Sequence, residues 1–229
     1  RDPEMSRGLG DVYKRQAENW YGNVLSNKDA SNEIVAEAQY RMGRLYEEVK
    51  KDPNTAEIYY IDASSSGHAE AQYRLGMWFK NGASVPTKYD KEQAVKCFAR
   101  AAKQGHPEAE YWYGNCLLYG IGVSKNAKEG FNWYLASANH GLADAMNGVG
   151  FCYEMGNGIA KNMDCAAVWY MKAAEKGHSR GLYHLGDCYK NGCGVEANQT
   201  KAFECYQKAE RAAAAKGCLL YTSPSPRDI

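Results

Sequence analysis

Apolar and small side chains recur along this chain at spacings that fit one face of an α-helix. Each copy of the pattern centres on a glycine, with an apolar residue directly before it and a large apolar residue three positions later. Because residues three and four apart share a helical face, the pattern predicts five copies of one amphipathic helix, helix A. The central glycines are Gly43, Gly76, Gly114, Gly150 and Gly186.

These five glycines, the anchor glycines, fall inside the predicted helices, where glycine costs about 1 kcal/mol relative to alanine. A cost that recurs in register needs a common cause. The simplest cause is a close approach between two helices, in which a bulky neighbouring side chain fills the space that a side chain at the anchor position would take.

A second helical pattern, helix B, follows each helix A. It begins after an Asx residue that we expect to cap the helix through its side chain: Asp52, Asp90, Asn126, Asn162 and Asn198. Its middle carries an aromatic-rich pair: Tyr59/Tyr60, Cys97/Phe98, Trp133/Tyr134, Trp169/Tyr170 and Cys205/Tyr206. Glycines typical of helix C-caps end helix A at Gly82, Gly120, Gly156 and Gly192 and helix B at Gly67, Gly105, Gly141 and Gly177.

A helical hairpin that recurs in this way predicts an all-α protein, an α/α superhelical solenoid of about five helix-turn-helix repeats. The first unit is irregular, because EEVKKDP stands where later units have a glycine turn. Trp20 and Tyr21 predict that residues 17–32 are the tail of a preceding repeat. The expected units are 33–68, 69–106, 107–142, 143–178 and 179–217.

The two ends of the chain carry a different signal. Residues 218–228 read CLLYTSPSPRD, and a DNA sequence can be written that encodes them. The reverse complement of that DNA, read one base later, encodes SRGLGDVYKR and then begins a glutamine codon. The same amino-acid string stands at residues 6–16. That DNA resembles a transposase-type sequencing adapter. We therefore expect residues 1–16 and 218–229 to be an adapter artefact and residues 17–217 to be the part that belongs to the protein.

Charge and hydropathy exclude two classes of partner. The whole chain has a net charge of +1, and residues 17–217 taken alone are neutral, so no basic footprint for nucleic acid is present. No apolar run is long enough to cross a membrane within this fragment. We expect other proteins, through a peptide or helix segment, to be the partners.

Three stretches resemble the Sel-one-like repeat, a relative of the tetratricopeptide repeat. They are YGNCLLYGIGVSKNAKEGFNWYLASANHG, VGFCYEMGNGIAKNMDCAAVWYMKAAEKGH and LGDCYKNGCGVEANQTKAFECYQKA. The resemblance implies helix A on a concave surface and an adaptor role in protein assemblies. In the secreted cysteine-rich branch, disulfides tie the end of helix B to the next helix A. Alanines stand at those helix B positions here (Ala102, Ala138 and Ala174), so we expect reduced thiols and a cytoplasmic location.

A second stripe on helix A varies from unit to unit, at two before, one after and five after the anchor glycine. Varied positions in a solenoid are where a partner is recognised. The stripe predicts a concave groove with an apolar middle and a basic N-terminal end, suited to an acidic and apolar segment. The groove residues are Arg41, Arg44, Arg74, Met77, Trp112, Asn115, Tyr119, Phe151, Met155, His184, Asp187 and Asn191.

Chemical signals are weaker than these packing signals. Three GxG triplets, at Gly120, Gly156 and Gly192, follow helices and indicate turns rather than phosphate loops. Four histidines near the end of helix B indicate packing or favourable charge at a helix C-terminus. His184 and Cys188 lack the further spacing of a zinc site. Asn198 is a glycosylation sequon, but helix capping explains it better. We expect no catalytic, cofactor or metal residues.

These patterns together predict a non-enzymatic scaffold or adaptor that binds a partner segment in the groove. One alternative is the regulatory or targeting region of a larger signalling enzyme such as a kinase. Another is a luminal quality-control adaptor in endoplasmic-reticulum-associated degradation, which sugar on Asn198 would support.

Overall fold

A computed structural model describes residues 3–81 and 90–215, with side chains from residue 15 onwards. Every regular element in those ranges is helical. The α-helices are α1 (Pro3–Ser26), α2 (Asn32–Arg44), α3 (Pro53–Ser65), α4 (Ala69–Asn81), α5 (Lys91–Ala102), α6 (Pro107–Tyr119), α7 (Ala127–Asn139), α8 (Ala143–Met155), α9 (Met163–Glu175), α10 (Ser179–Asn191) and α11 (Gln199–Ala215). No helix among these residues is long and apolar enough to cross a membrane.

The chain divides into two compact units, Arg1–Ala109 and Glu110–Ile229, which we call unit 1 and unit 2. In unit 1, α1 packs on α2, α2 on α3, α3 on α4 and α4 on α5. In unit 2, α7 packs on α8, α8 on α9, α9 on α10 and α10 on α11, and α8 also contacts α10. Helices α2, α4, α6, α8 and α10 are the five copies of helix A, and α3, α5, α7, α9 and α11 are the five copies of helix B.

Each anchor glycine lies against an aromatic ring of its own helix B. A β-carbon at Gly43 would lie 2.6 Å from the Tyr60 ring, and one at Gly150 would lie 2.7 Å from the Tyr170 ring. The same contact recurs between Gly76 and Phe98, Gly114 and Tyr134, and Gly186 and Tyr206. All five rings are buried. The bulky neighbour predicted from the repeated glycine cost is therefore confirmed, and it is the second residue of each helix B pair.

The capping predictions for helix B are confirmed in every repeat. The side chains of the five Asx residues accept a hydrogen bond from a backbone N–H in the first turn of the helix that follows: Asp52 from Thr55, Asp90 from Glu92 and Gln93, Asn126 from Glu129, Asn162 from Cys165 and Asn198 from Lys201. Pro53 occupies the first turn of α3, where its missing N–H costs nothing.

Glycines end the helices in left-handed conformations, as predicted. Gly156 and Gly192 cap α8 and α10 with φ of 75° and 67°. The second glycine of each GxG triplet in these two turns is also left-handed, and a β-carbon at Gly158 or Gly194 would collide with backbone of the preceding helix B. The triplets are therefore turns that pack on a neighbouring repeat. The predicted cap at Gly82 lies outside the described residues.

The first repeat departs from this scheme, as its sequence indicated. Helix α2 continues as a π-helical segment, Leu45–Lys50, and ends at Lys51, which takes a left-handed φ of 56° without being glycine. The wider turn brings two consecutive glutamates, Glu47 and Glu48, onto different partners: Glu47 bonds Tyr60 and Arg74, whereas Glu48 bonds Arg44.

Replacing Gly43 with alanine is expected to destabilise unit 1 by about 1 to 3 kcal/mol, because the added methyl group must displace the buried Tyr60 ring. The control is Gly22→Ala. Gly22 is also helical, but a β-carbon there meets nothing within 4 Å, so the higher helix propensity of alanine should stabilise by up to about 1 kcal/mol. Urea denaturation followed by circular dichroism measures both. Equal effects at the two positions would contradict the assigned contact.

Candidate functional site

The three columns of the predicted groove stripe have different surroundings. At two positions before the anchor glycine, two of the residues in unit 2 lie against the tyrosine of the preceding helix B. The His184 ring stacks on Tyr170 at 4.9 Å, and a β-carbon at Gly148 would lie 2.8 Å from the Tyr134 ring. Trp112, in the same column, is half-buried with its ring edge-on to Tyr111 at 5.4 Å. This column therefore serves mainly to pack helix A against its neighbours.

One position after the anchor glycine, polar residues bind the tyrosine of their own helix B. Asn115 donates a hydrogen bond to the Tyr134 hydroxyl at 3.0 Å, and the Tyr206 hydroxyl donates to Asp187 at 2.8 Å. Met77 and Phe151, in the same column, are half-buried. The hydrogen bonds of Asn115 and Asp187 therefore link helix A to helix B within one hairpin.

Five positions after the anchor glycine, the side chains face solvent: Glu48, Asn81, Tyr119, Met155 and Asn191. Two of them are large and apolar. Tyr119 and Met155 are each 52% exposed. Tyr119 is close enough to α8 that, after burial, the Cys152 thiol contributes to raising the pKa of its phenol. Met155 lies on the next turn of α8, so the two exposed side chains belong to one part of unit 2.

The arginines of the stripe are paired with carboxylates. Arg41 bonds Glu37 at 2.6 Å, and Arg44 bonds Glu48. Arg74 bonds both Glu47 and Glu70 at 3.0 Å, and its guanidinium lies 5.9 Å from the Tyr40 ring. The predicted basic N-terminal end is thus a set of ion pairs in unit 1, because acidic residues one helical turn away on the same helix neutralise most of it.

Glu154 and Asp187, two carboxylates of unit 2, have no such cationic partner within residues 110–215. Glu154 accepts a hydrogen bond from the Tyr170 hydroxyl, as Asp187 does from Tyr206. Both carboxylates are half-buried. Sequence reasoning missed Glu154 and its counterpart Glu47, which lie four positions after the anchor glycine. The signal available for both was the recurring helix B tyrosine, whose buried hydroxyl needs a partner.

A single family model describes this arrangement. The Sel1 repeat matches residues 36–68, 69–106, 107–142, 143–178 and 179–213. The chain belongs to the Sel1 repeat family. The family and the α/α solenoid of about five repeats predicted from the sequence are both confirmed. Sel1 repeat proteins are generally protein-interaction scaffolds and are typically non-catalytic.

Solved structures share the fold. A Sel1 repeat protein from Oxalobacter formigenes is 28% identical, with a TM-score of 0.76 over 96% of this chain and 92% of that chain. The uropathogenic Escherichia coli protective antigen c5321 is 24% identical, with a TM-score of 0.72 over 91% of this chain and 48% of that chain. The Pseudomonas aeruginosa immunity protein Pa5087 is 18% identical, with a TM-score of 0.53 over 92% and 89%. Comparison with curated protein sequences gave no significant match.

Histidines join successive Sel1 repeats by a contact that the sequence did not indicate. The Nδ1 atoms of His68, His106 and His178 accept from a backbone N–H in the first turn of the next helix A. The Nε2 atoms of the same rings lie 2.7 to 3.1 Å from carboxylates of the preceding helix A. Of the two alternatives drawn from the sequence, packing describes these three histidines, which also cap the start of the next helix A. His140 does lie at the C-terminus of α7, where it bonds Glu110.

Reactive side chains in the described residues are mostly buried. Cys97, Cys116, Cys152, Cys188 and Cys205 are buried free cysteines. Burial raises the pKa of Cys97 to about 11 and of Cys152 and Cys188 to about 12, so these thiols stay protonated at neutral pH. Among the described residues, no three His, Cys, Asp or Glu side chains are grouped so that they could hold a metal ion.

An open cavity of about 600 Å³ lies between α1 and α2 in unit 1, with His68 at its edge. Trp20 lines it and is 61% exposed. Tyr21 and Val24 contribute from α1, and Ile34 contributes from α2. The assignment of residues 17–32 as the tail of a preceding repeat stays a prediction.

Acidification is expected to destabilise unit 2 through His184. Burial lowers the pKa of this imidazole despite the opposing carboxylates of Glu154 and Asp187. The contribution of neutral His184 to the free energy of unfolding is therefore complete above the unfolded-state pKa of about 6.5. It is lost as the pH falls towards the lower folded-state pKa. His184→Phe keeps an aromatic ring on Tyr170 and cannot titrate.

Urea denaturation between about pH 7.5 and pH 5.5 measures this effect, since the interval spans the ordinary imidazole pKa. The free energy of unfolding should depend less steeply on pH in His184→Phe than in the unmodified chain. His140→Gln is the control, because its side chain is 47% exposed and should leave the His184 contribution in place. An unchanged slope in His184→Phe would show that His184 is not the titrating group.

Proposed function

We propose that this Sel1 repeat protein is a scaffold that binds a segment of another protein on the helix A face of unit 2, with Tyr119 and Met155 at the centre of the contact. The observation that carries the proposal is their exposure: both are large apolar side chains, and each is 52% exposed. Their equivalents in the other repeats, Glu48, Asn81 and Asn191, are polar.

The surroundings of these two side chains suit a binding surface. Interface centres are enriched in tyrosine, methionine and other large apolar residues, and a few such residues supply most of the binding free energy. Helices α6 and α8 are held by the glycine–tyrosine contacts of Gly114 and Gly150, so the surface is preorganised. A rigid surface loses little conformational entropy on binding, which favours affinity.

The reactive groups of the described residues support binding rather than catalysis. The buried thiols have raised pKa values, so they are poor nucleophiles. Three of the histidines that follow helix B, His68, His106 and His178, are engaged at both ring nitrogens in contacts between repeats. These thiols and histidines therefore serve packing and contacts between successive hairpins.

The whole chain can be tested against a random peptide library displayed on phage. Selected peptides are synthesised with a fluorophore, and their affinity is measured by fluorescence anisotropy. Replacing Tyr119 and Met155 together with serine should weaken binding by at least about tenfold, because it removes the apolar contact surface. Both side chains face solvent, so circular dichroism should show an unchanged fold.

Val168→Ser is the matched control. Val168 is an apolar side chain on α9 that is 44% exposed, but it belongs to a helix B. Its replacement should leave peptide affinity unchanged. If the selection returns no binder, or if the selected peptides bind the Tyr119→Ser/Met155→Ser chain as tightly as the unmodified chain, the proposed function is wrong.

A further inference from the structure

Resting on the proposed function, we infer that the partner segment is basic as well as apolar, and that its arginine or lysine side chains bind Glu154 and Asp187. The variable stripe on helix A predicts an acidic and apolar partner, because three arginines stand at its N-terminal end. The distribution of ion pairs in the two units reverses that expectation for unit 2.

The helix A face of unit 1 satisfies its charges internally. Glu37 and Glu70 each bond an arginine of their own helix. In the π-helical extension of α2, Glu48 bonds Arg44 and Glu47 bonds Arg74. An acidic partner would have to displace these carboxylates from their arginines before it gained an ion pair. That exchange offers little net free energy, because one charge-assisted hydrogen bond is traded for another.

The helix A face of unit 2 has the opposite arrangement. Glu154 and Asp187 are half-buried, and neither has a lysine, arginine or histidine nitrogen within ion-pair distance among the described residues. Arg180 and Lys190 also lie on α10, and both are exposed. Neither forms an ion pair with Glu154 or Asp187. These two carboxylates are therefore available to a cation from outside.

The two carboxylates are also fixed in position. The Tyr170 hydroxyl donates to Glu154 Oε2 and the Tyr206 hydroxyl donates to Asp187 Oδ1, so one oxygen of each group is held by a buried ring. The remaining oxygen of each can accept from a guanidinium or an ammonium group. A carboxylate that is already oriented loses little entropy when it binds a cation, so its contribution to affinity is larger than that of a mobile surface group.

These carboxylates adjoin the apolar centre. Glu154 is the residue directly before the exposed Met155. It also faces His184 on α10, one turn before Asp187. His184 brings no competing positive charge, because burial lowers the pKa of its imidazole. The order on the face of unit 2 is thus Tyr119, Met155 with Glu154, and then Asp187, which fits a segment with apolar side chains at one end and cationic side chains at the other.

The phage selection described above supplies the probe, with the full chain as bait. Only peptides whose binding depends on Tyr119 and Met155 are carried forward, so that the proposed function is established first. Their fluorescent forms are then titrated against Glu154→Gln/Asp187→Asn and against Glu175→Gln. The amide replacements keep an acceptor for each tyrosine hydroxyl, so they remove charge without removing the hydrogen bond. Glu175 is exposed on α9 and serves as the charge control.

We expect the selected peptides to be enriched in arginine and lysine beside apolar residues. Their affinity for Glu154→Gln/Asp187→Asn should fall by about tenfold or more, since charge-assisted hydrogen bonds are lost. Glu175→Gln should change it less than about twofold, as for an isolated surface charge. Raising the salt concentration should weaken binding to the unmodified chain more than binding to the amide variant.

Peptides that require Tyr119 and Met155 but are acidic or uncharged, or that bind the amide variant as tightly as the unmodified chain, would overturn the inference while leaving the scaffold function intact. If no peptide requires Tyr119 and Met155, the scaffold proposal and the inference fail together.

Discussion

The contact between a helix A glycine and a buried helix B aromatic ring is the constraint on which the rest of the structure depends. It recurs in all five repeats, with four tyrosines and one phenylalanine as the ring. The missing side chain lets the two helices of a hairpin approach closely, and the ring then fills the space so that no cavity is left. The cost of glycine in a helix is offset by the burial of the ring, since fully burying a large apolar side chain stabilises by about 1.5 to 3 kcal/mol.

That contact has a consequence for the surface of helix A. A buried tyrosine must satisfy its hydroxyl, and helix A supplies the partner from one of two positions. The partner is Asn115 or Asp187 one residue after the anchor glycine, or Glu47 or Glu154 four residues after it. Polar residues on this face therefore have a structural role. The same role leaves Glu154 and Asp187 half-buried and oriented, with no cationic partner among the residues that the structure describes. The packing of the hairpin and the chemistry of the proposed binding surface have the same origin.

Periodic features were predictable from the sequence because each repeat is an independent copy of the same physical solution. The anchor glycines, the Asx caps and the left-handed glycines all act within a few residues or within one hairpin, so spacing alone reveals them. The exposure of a stripe residue was not predictable in this way. Arg74, Tyr119 and His184 share one helical stripe, yet Arg74 is held by two glutamates, His184 lies on a tyrosine ring, and only Tyr119 is exposed. Those differences depend on which side chains the neighbouring repeat brings into contact, and no spacing within one repeat encodes them.

The most direct test of the central contact is a double-mutant cycle between Gly150 and Tyr170. The three atoms nearest to a β-carbon at Gly150 all belong to the Tyr170 ring, at 2.7 to 3.2 Å, so the ring is what an added methyl group meets first. The free energy of unfolding is measured for the unmodified chain, Gly150→Ala, Tyr170→Leu and the double variant. If the ring sets the cost of the alanine, Gly150→Ala should destabilise the unmodified chain markedly and the Tyr170→Leu chain little or not at all. Strictly additive effects would mean that glycine and ring do not interact, and the account of how each hairpin is held together would be wrong.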